Sequence, residues 1–160
     1  MPDDPRRSLL RHTLATLAYR GGKAVRDVPA GFASFKAGPT TRTPVEILAH
    51  IGDLMDWALS LARGKQEWHN APPRPWDEEV ARFFAAVKAF DDHLAGDGPL
   101  AGSPESLFQG PVADALAHVG QITLLRRLAG GPVRAENYHK ADIEPGRVGA
   151  EQSPPRLEFD

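Results

Sequence analysis

The sequence predicts an all-α protein, a four-helix bundle with an extended C-terminal tail, and three observations carry that expectation. Glycine and proline, 15 of each among 160 residues, gather in clusters that leave four windows nearly free of both. Each window holds apolar residues at steps of three and four, the period of an amphipathic helix. No stretch shows the strict alternation of a half-buried strand. Helices of about 16 to 20 residues with one apolar stripe each can cover those stripes by packing together.

The first window, roughly Pro5 to Arg20, places Leu10, Leu14, Leu17 and Ala18 on one face, with Asp4 before Pro5 as a cap and His12 opposite. The second opens on Thr43-Pro44-Val45-Glu46, an N-cap, a proline at the first helical position and the glutamate of a capping box. Ile47, Ile51, Leu54, Met55, Ala58 and Ala62 then form its stripe, and Gly64 stops it near Arg63. The third runs from about Trp76 to Ala95 on Trp76, Val80, Phe83, Val87, Phe90 and Leu94, the cleanest pattern in the chain. The fourth starts at Gly110-Pro111, with a short helical turn possible ahead of it from Ser103-Pro104-Glu105, and ends at Leu128-Ala129 before Gly130-Gly131-Pro132. A connection of about 22 residues between the first two windows permits a crossover topology. The tail, Pro132 to Asp160, is polar and proline-rich and is expected to drape over the bundle or to be mobile.

Length and charge narrow the function. A chain of 160 residues fits one domain. Its formal charge of -2, with Lys+Arg 19 and Asp+Glu 21 well mixed, provides no footprint for nucleic acid or anionic lipid. Cysteine is absent, which removes disulfides, thiolate metal sites and thiol nucleophiles. Any metal must therefore be held by His, Asp or Glu. No run nears about 18 consecutive apolar residues, and Met1 to Arg7 does not lead into a signal-peptide core, so a cytoplasmic protein is expected.

Two windows carry nearly the same heptapeptide, Leu48-Ala49-His50-Ile51-Gly52-Asp53-Leu54 and Leu116-Ala117-His118-Val119-Gly120-Gln121-Ile122. Each pairs a histidine with a mid-helix glycine that costs about 1 kcal/mol relative to alanine. Close helix approach or room for a ligand would offset that cost. At about 100° per residue, Asp114, His118 and Gln121 lie within about 40° of Leu125, inside the expected apolar stripe of the fourth helix. Buried polar groups need partners. Asp114 and His118 are four apart and share a face, and His50 sits at the flank of the second helix, able to turn inward. His50, Asp114 and His118 thus form a two-histidine, one-carboxylate set with open positions, suited to Zn, Ni, Fe or Mn. Glu46 is taken up by its capping box. Gln121 is a candidate substrate-orienting group, and Tyr138, with His139 and Asp142, a candidate closure of the site. The plainer alternative makes Asp114 a favourable charge at a helix start and the histidines hydrogen-bonded core residues. His69, His93 and His139 read as surface residues, the three tryptophans as anchors, and Arg126-Arg127 as cations at a helix C-terminus.

These residues resemble the DinB/YfiT-like superfamily of metal-binding four-helix bundles. Its pattern places one histidine on the second helix and a His-x-x-x-His pair on the fourth, the second of that pair commonly followed by x-Gly-Gln. Leu48-Ala49-His50 and His118-Val119-Gly120-Gln121 match, while Asp114 stands in place of the pair's first histidine. The runs Leu125-Arg126-Arg127-Leu128-Ala129-Gly130 and Asn137-Tyr138-His139-Lys140-Ala141-Asp142-Ile143 are also similar to one branch of the superfamily. The resemblance implies an up-down-down-up bundle, a homodimer, and zinc or nickel at the helix ends, with iron or manganese admitted by the carboxylate. It also implies a small-molecule substrate, and a low-molecular-weight thiol as cosubstrate in a hydrolase or thiol-transferase reaction. The alternative function is a non-enzymatic, stress-related dimeric bundle that binds a small molecule beside a vestigial site.

Overall fold

The computed structural model describes residues 4–159 and is predominantly helical. Four long helices carry the fold: α1 (Pro5–Val25), α2 (Pro44–Ala62), α3 (Trp76–Ala95) and α5 (Ala113–Leu128), with the one-turn α4 (Pro104–Leu107) ahead of the last. The local signals explain most boundaries. The Asp4 carboxylate accepts from the Arg6 N–H at the start of α1, and Thr43 and Glu46 form the reciprocal capping box of α2. Two helices differ from expectation. α1 continues five residues past Arg20, through Gly21-Gly22, because a Cβ at Gly21 would stand 2.6 Å from Cζ of Phe83. Close approach to α3 at that point outweighs the poor helix propensity of glycine. The fourth helical path begins at Pro104, and the proline at position 111 is accommodated in a π-helical segment, Phe108–Val112. Proline lacks the N–H of a regular turn and crowds the carbonyl four residues back, and the widened turn relieves both problems without ending the helix.

α2 packs against α3 and α5, and α1 packs against the same two helices. The pairwise contacts have an order. Along α1, Arg7 donates to the Gly96 and Gly98 carbonyls at 2.5 and 2.6 Å, Arg11 forks onto Asp91 at 2.9 and 3.0 Å, and Gly21 meets Phe83. On its other side, Arg6 reaches Glu105 and the last turn of α1 meets Arg126. Between α2 and α3, the Arg82 guanidinium donates to Asp53, to Asp56 at 3.0 Å and to the Ala49 carbonyl at 3.1 Å. That crossing explains Gly52, where a Cβ would stand 2.8 Å from Arg82 Nη1. Gly120, its counterpart in the repeated heptapeptide, faces open space. The repeat therefore reflects two different environments.

The interior is one apolar cluster that takes in Leu14, Leu17, Ile51, Met55, Phe83, Phe90 and Ile122. Val148 of the tail is buried in it, and Ile143 packs on it. The tail is thus draped over the helices. Its residues Ala135–Glu136 pair antiparallel with Glu158–Phe159, a short ladder that the sequence pattern does not announce. Glu136, wholly buried, accepts from the Tyr19 hydroxyl at 2.5 Å and from Lys23 Nζ at 2.7 Å, and Lys23 also reaches Glu158 at 2.8 Å. Burial first, then the Glu136 carboxylate, pushes the Tyr19 phenol well above its ordinary pKa.

The apolar axis of α5 is rotated from the expected one. Ile122 and Leu125 are buried as expected, but Ala115, Val119 and Arg126 are buried beside them, whereas Leu128 is exposed. Arg126 is therefore an internal clamp and not a surface cation. Its guanidinium donates to the carbonyls of Ala24, Arg26, Asp27 and Gly131 at 3.1, 2.5, 3.1 and 2.8 Å. Several of these belong to the end of α1, where carbonyls lack helical partners. Replacing Arg126 by alanine leaves them unpaired, so Arg126→Ala is expected to lower unfolding free energy by about 2–4 kcal/mol. Arg127→Ala, at an exposed position, is expected to change it by less than about 0.5 kcal/mol; urea denaturation of both variants checks the contrast.

Candidate metal centre

The capping box sets where α2 begins, and thereby which way its second turn faces. Thr43 N–H and hydroxyl donate to Glu46 Oε2 at 2.7 and 2.9 Å, which holds the Glu46 carboxyl below its usual range and occupies it. Four residues on, His50 points across the seam toward α5. There the extended helical path from Pro104 has already risen far enough to present Asp114 and His118 opposite it. The His50 and His118 rings lie 4.7 Å apart, tilted by 60°. His50 Nε2 is 3.6 Å from Asp114 Oδ2, and His118 Nδ1 is 3.2 Å from Asp114 Oδ1. The three residues each offer a ligand atom within 4.8 Å of the others. Tetrahedral ligands about 2.0–2.1 Å from a zinc ion stand about 3.3 Å apart, so small side-chain movements would close the set.

A second hydrogen bond orients the donor set. His118 Nδ1 lies 2.7 Å from the Asp114 carbonyl oxygen, an arrangement in which Nδ1–H donates to the carbonyl and Nε2 is the ring nitrogen left for a ligand. Metal-bound histidines are commonly fixed through their other ring nitrogen in this way. Burial lowers the His50 pKa below its ordinary 6.5, followed in effect by the His118 and Arg42 charges, while Asp114 opposes them. A neutral imidazole is the form that coordinates a cation. The chemistry of the donors therefore suits zinc, nickel, iron or manganese.

The site lies at the flank of the seam, in contrast to the core position expected of Asp114. Its carboxylate is 46% exposed, against 20% and 14% for the His50 and His118 side chains. The rotated axis of α5 causes this, and it leaves one edge of the set open to solvent. Gln121, on the same column of α5, is exposed and not turned inward. Tyr138 packs edge-on against Tyr19 at 6.2 Å, with the Arg20 guanidinium over its ring at 4.1 Å, contacts that hold it on α1. Gln121 thus stays one turn from His118 on the same helix, and no hydrogen bond or ring contact joins either Gln121 or Tyr138 to the histidines among the described residues. His12, His69 and His139 are exposed. His93, expected at the surface, is half-buried, with Nε2 shielded and without a partner among the described residues.

Three neighbours of the site carry no periodic signal in the sequence because they come from loops. Trp68 stands edge-on to His50 at 5.7 Å and to Trp57 at 5.8 Å, and is 45% exposed. Its loop is tied back to α2 where Glu67 N–H donates to Ser60 Oγ at 3.2 Å. Arg42 and Asn70, with Glu46, His50 and Asp53, line a cavity of about 320 Å³ beside the donor set. Trp76 is an anchor as expected, edge-on to Phe32 at 5.7 Å. Comparison of the chain with protein families, with curated proteins and with solved structures finds no match.

The lowered His50 pKa has a sign that can be tested in metal-free protein. The unfolded chain takes up this proton near pH 6.5 and the folded chain only at lower pH. The His50 contribution is therefore intact above that pH, and stability falls as acidification passes below it until the folded ring also titrates. Proton NMR should place the His50 midpoint below 6.5. The loss of melting temperature between about pH 7.5 and 5 should be smaller in His50→Asn.

Proposed function

We propose that the protein is a metal-dependent enzyme of the DinB-like type, a four-helix bundle in which His50, Asp114 and His118 hold a divalent cation. Zinc and nickel are the first candidates, iron and manganese the alternatives favoured by the carboxylate. The convergence of the three side chains from α2 and α5 carries this reading. The order of the helix contacts supports an up-down-down-up arrangement: α1 meets α3 in descending residue order and α4–α5 in ascending order. When bound, such an ion polarises a substrate and lowers the pKa of a water or external thiol.

The chain's own residues supply positioning. His118 is oriented by its Nδ1–H on the Asp114 carbonyl, and Trp68 walls one side of His50 and reduces the access of bulk water. The exposed edge at Asp114 admits the reactant. Since the chain has no cysteine, a thiol would have to arrive as a cosubstrate, giving thiol transfer; a water would give hydrolysis. The substrate is a small electrophile in either case. Gln121, exposed one turn from His118, is the candidate for orienting the reactant, while Tyr138 packs on Tyr19 and Arg20 of α1. Exposed Leu9 and Phe108, which line one hollow with Leu10, are an apolar surface suited to burial against a second copy in a homodimer.

Elemental analysis of untagged protein tests the proposal. About one ion per chain is expected, lost in His50→Ala and in His118→Ala, and chelation should lower the melting temperature of wild type but of neither variant. Failure to retain metal after supplementation would leave a non-enzymatic helical scaffold.

A further inference from the structure

We infer that the cavity beside the donor set is a carboxylate-binding subsite, in which the Arg42 guanidinium receives the acid group of a small organic substrate. This inference specifies the substrate of the proposed metal centre and rests on that reading for its catalytic meaning. The binding chemistry stands on the cavity itself.

Three acidic or basic side chains line the cavity besides His50, and two of them are already committed. Glu46 is held by the Thr43 N–H and hydroxyl. Asp53, 3% exposed, is the partner of Arg82. Arg42 alone has no ion pair or hydrogen-bonding partner among the described residues, although it lines the same space. An unpaired guanidinium at the wall of a concave space presents a planar fork that matches an oxyanion. The Asn70 amide adds a neutral donor on the opposing loop, and Pro72 and Pro73, which also line the cavity, stiffen that wall.

Size and charge narrow the ligand. A cavity of about 320 Å³ lies at the lower end of the range for small-molecule sites. Glu46 keeps its negative charge there, and the Arg82 guanidinium that meets Asp53 also serves Asp56 and Glu79, so Arg42 is opposed by at least one carboxylate charge. A doubly charged phosphate would meet more repulsion there than a monoanionic carboxylate, whose single charge pairs with Arg42 one to one. Because His50 lines the cavity as well as belonging to the donor set, a ligand anchored on Arg42 extends its other end toward the cation.

Butyrate, butyramide and inorganic phosphate serve as probes, titrated into metal-free and zinc-loaded protein and followed through the backbone amides of Asn70 and Ala71 by NMR. Butyrate should produce saturable shifts, weakened about tenfold or more in Arg42→Gln and less in Arg42→Lys, which keeps the charge but loses the fork. Butyramide should not saturate. The inference is overturned if butyramide binds as well as butyrate, if Arg42→Gln binds butyrate unchanged, or if nothing saturates below about 100 mM. Tighter binding of phosphate overturns the carboxylate assignment. Arg42 is exposed, so an unchanged melting temperature of the variants shows that the fold is retained. Zinc content, measured on the same samples, separates the two proposals. Zinc retained without butyrate binding defeats only the subsite, and Arg42-dependent butyrate binding without zinc defeats only the metal enzyme.

Discussion

Pro111 imposes the constraint on which the candidate site depends. A proline inside an α-helix removes one hydrogen bond and presses its ring on the preceding turn, at a cost of about 3 kcal/mol, so the expected outcome is a helix boundary. Here the chain widens into a π segment over Phe108–Val112 and resumes regular geometry at Ala113. An extra residue in a turn shifts the phase of the helix that follows, and in α5 Ala115, Val119, Ile122, Leu125 and Arg126 face inward while Asp114 and His118 lie at the seam with α2. Wide turns of this kind often accompany functional sites, since they turn side chains away from the regular register.

Charge distribution then decides which polar groups remain available. Buried carboxylates are engaged: Asp53 with Arg82, Asp91 with Arg11, Glu136 with Lys23 and Tyr19. Such pairs contribute little net energy once desolvation is counted, yet losing one partner strands a charge and is costly. They therefore act mainly to specify which helix faces meet. Arg126 performs the same task with carbonyl groups in place of a carboxylate. Against that background Asp114 differs, half-exposed and with the His50 and His118 imidazoles as its ion-pairing neighbours among the described residues. A carboxylate and two imidazoles in that arrangement are a donor set for a cation as readily as a hydrogen-bonded cluster.

Much of the helical framework was legible because its signals are local. Thr43-Pro44-Val45-Glu46 announces a helix start by side chains that bond to their own backbone, and the stripe of α3 follows from its period. The three donor residues could also be named, since a spacing of four puts Asp114 and His118 on one face. Legibility failed where a distant residue changed the local preference. Gly21 looks like a terminator until Phe83 occupies the space beside it, and Arg126 looks like a surface cation until the end of α1 lies against it. Gln121 and Tyr138 were placed by pattern, and pattern has no information on the rotation of α5 or on the side of the helices over which the tail folds.

The sequence by itself determined helix content, the caps, the absence of any thiol carried by the protein and the residue types from which a cation site could be made, because each depends on composition or on neighbours within one turn. Tertiary structure alone decided that His50 meets His118, that Asp114 remains half in solvent, and that Trp68 and Arg42 stand beside them. Those outcomes depend on the phase of α5 after Pro111 and on the path of two loops, and both are set by packing between residues far apart in the chain.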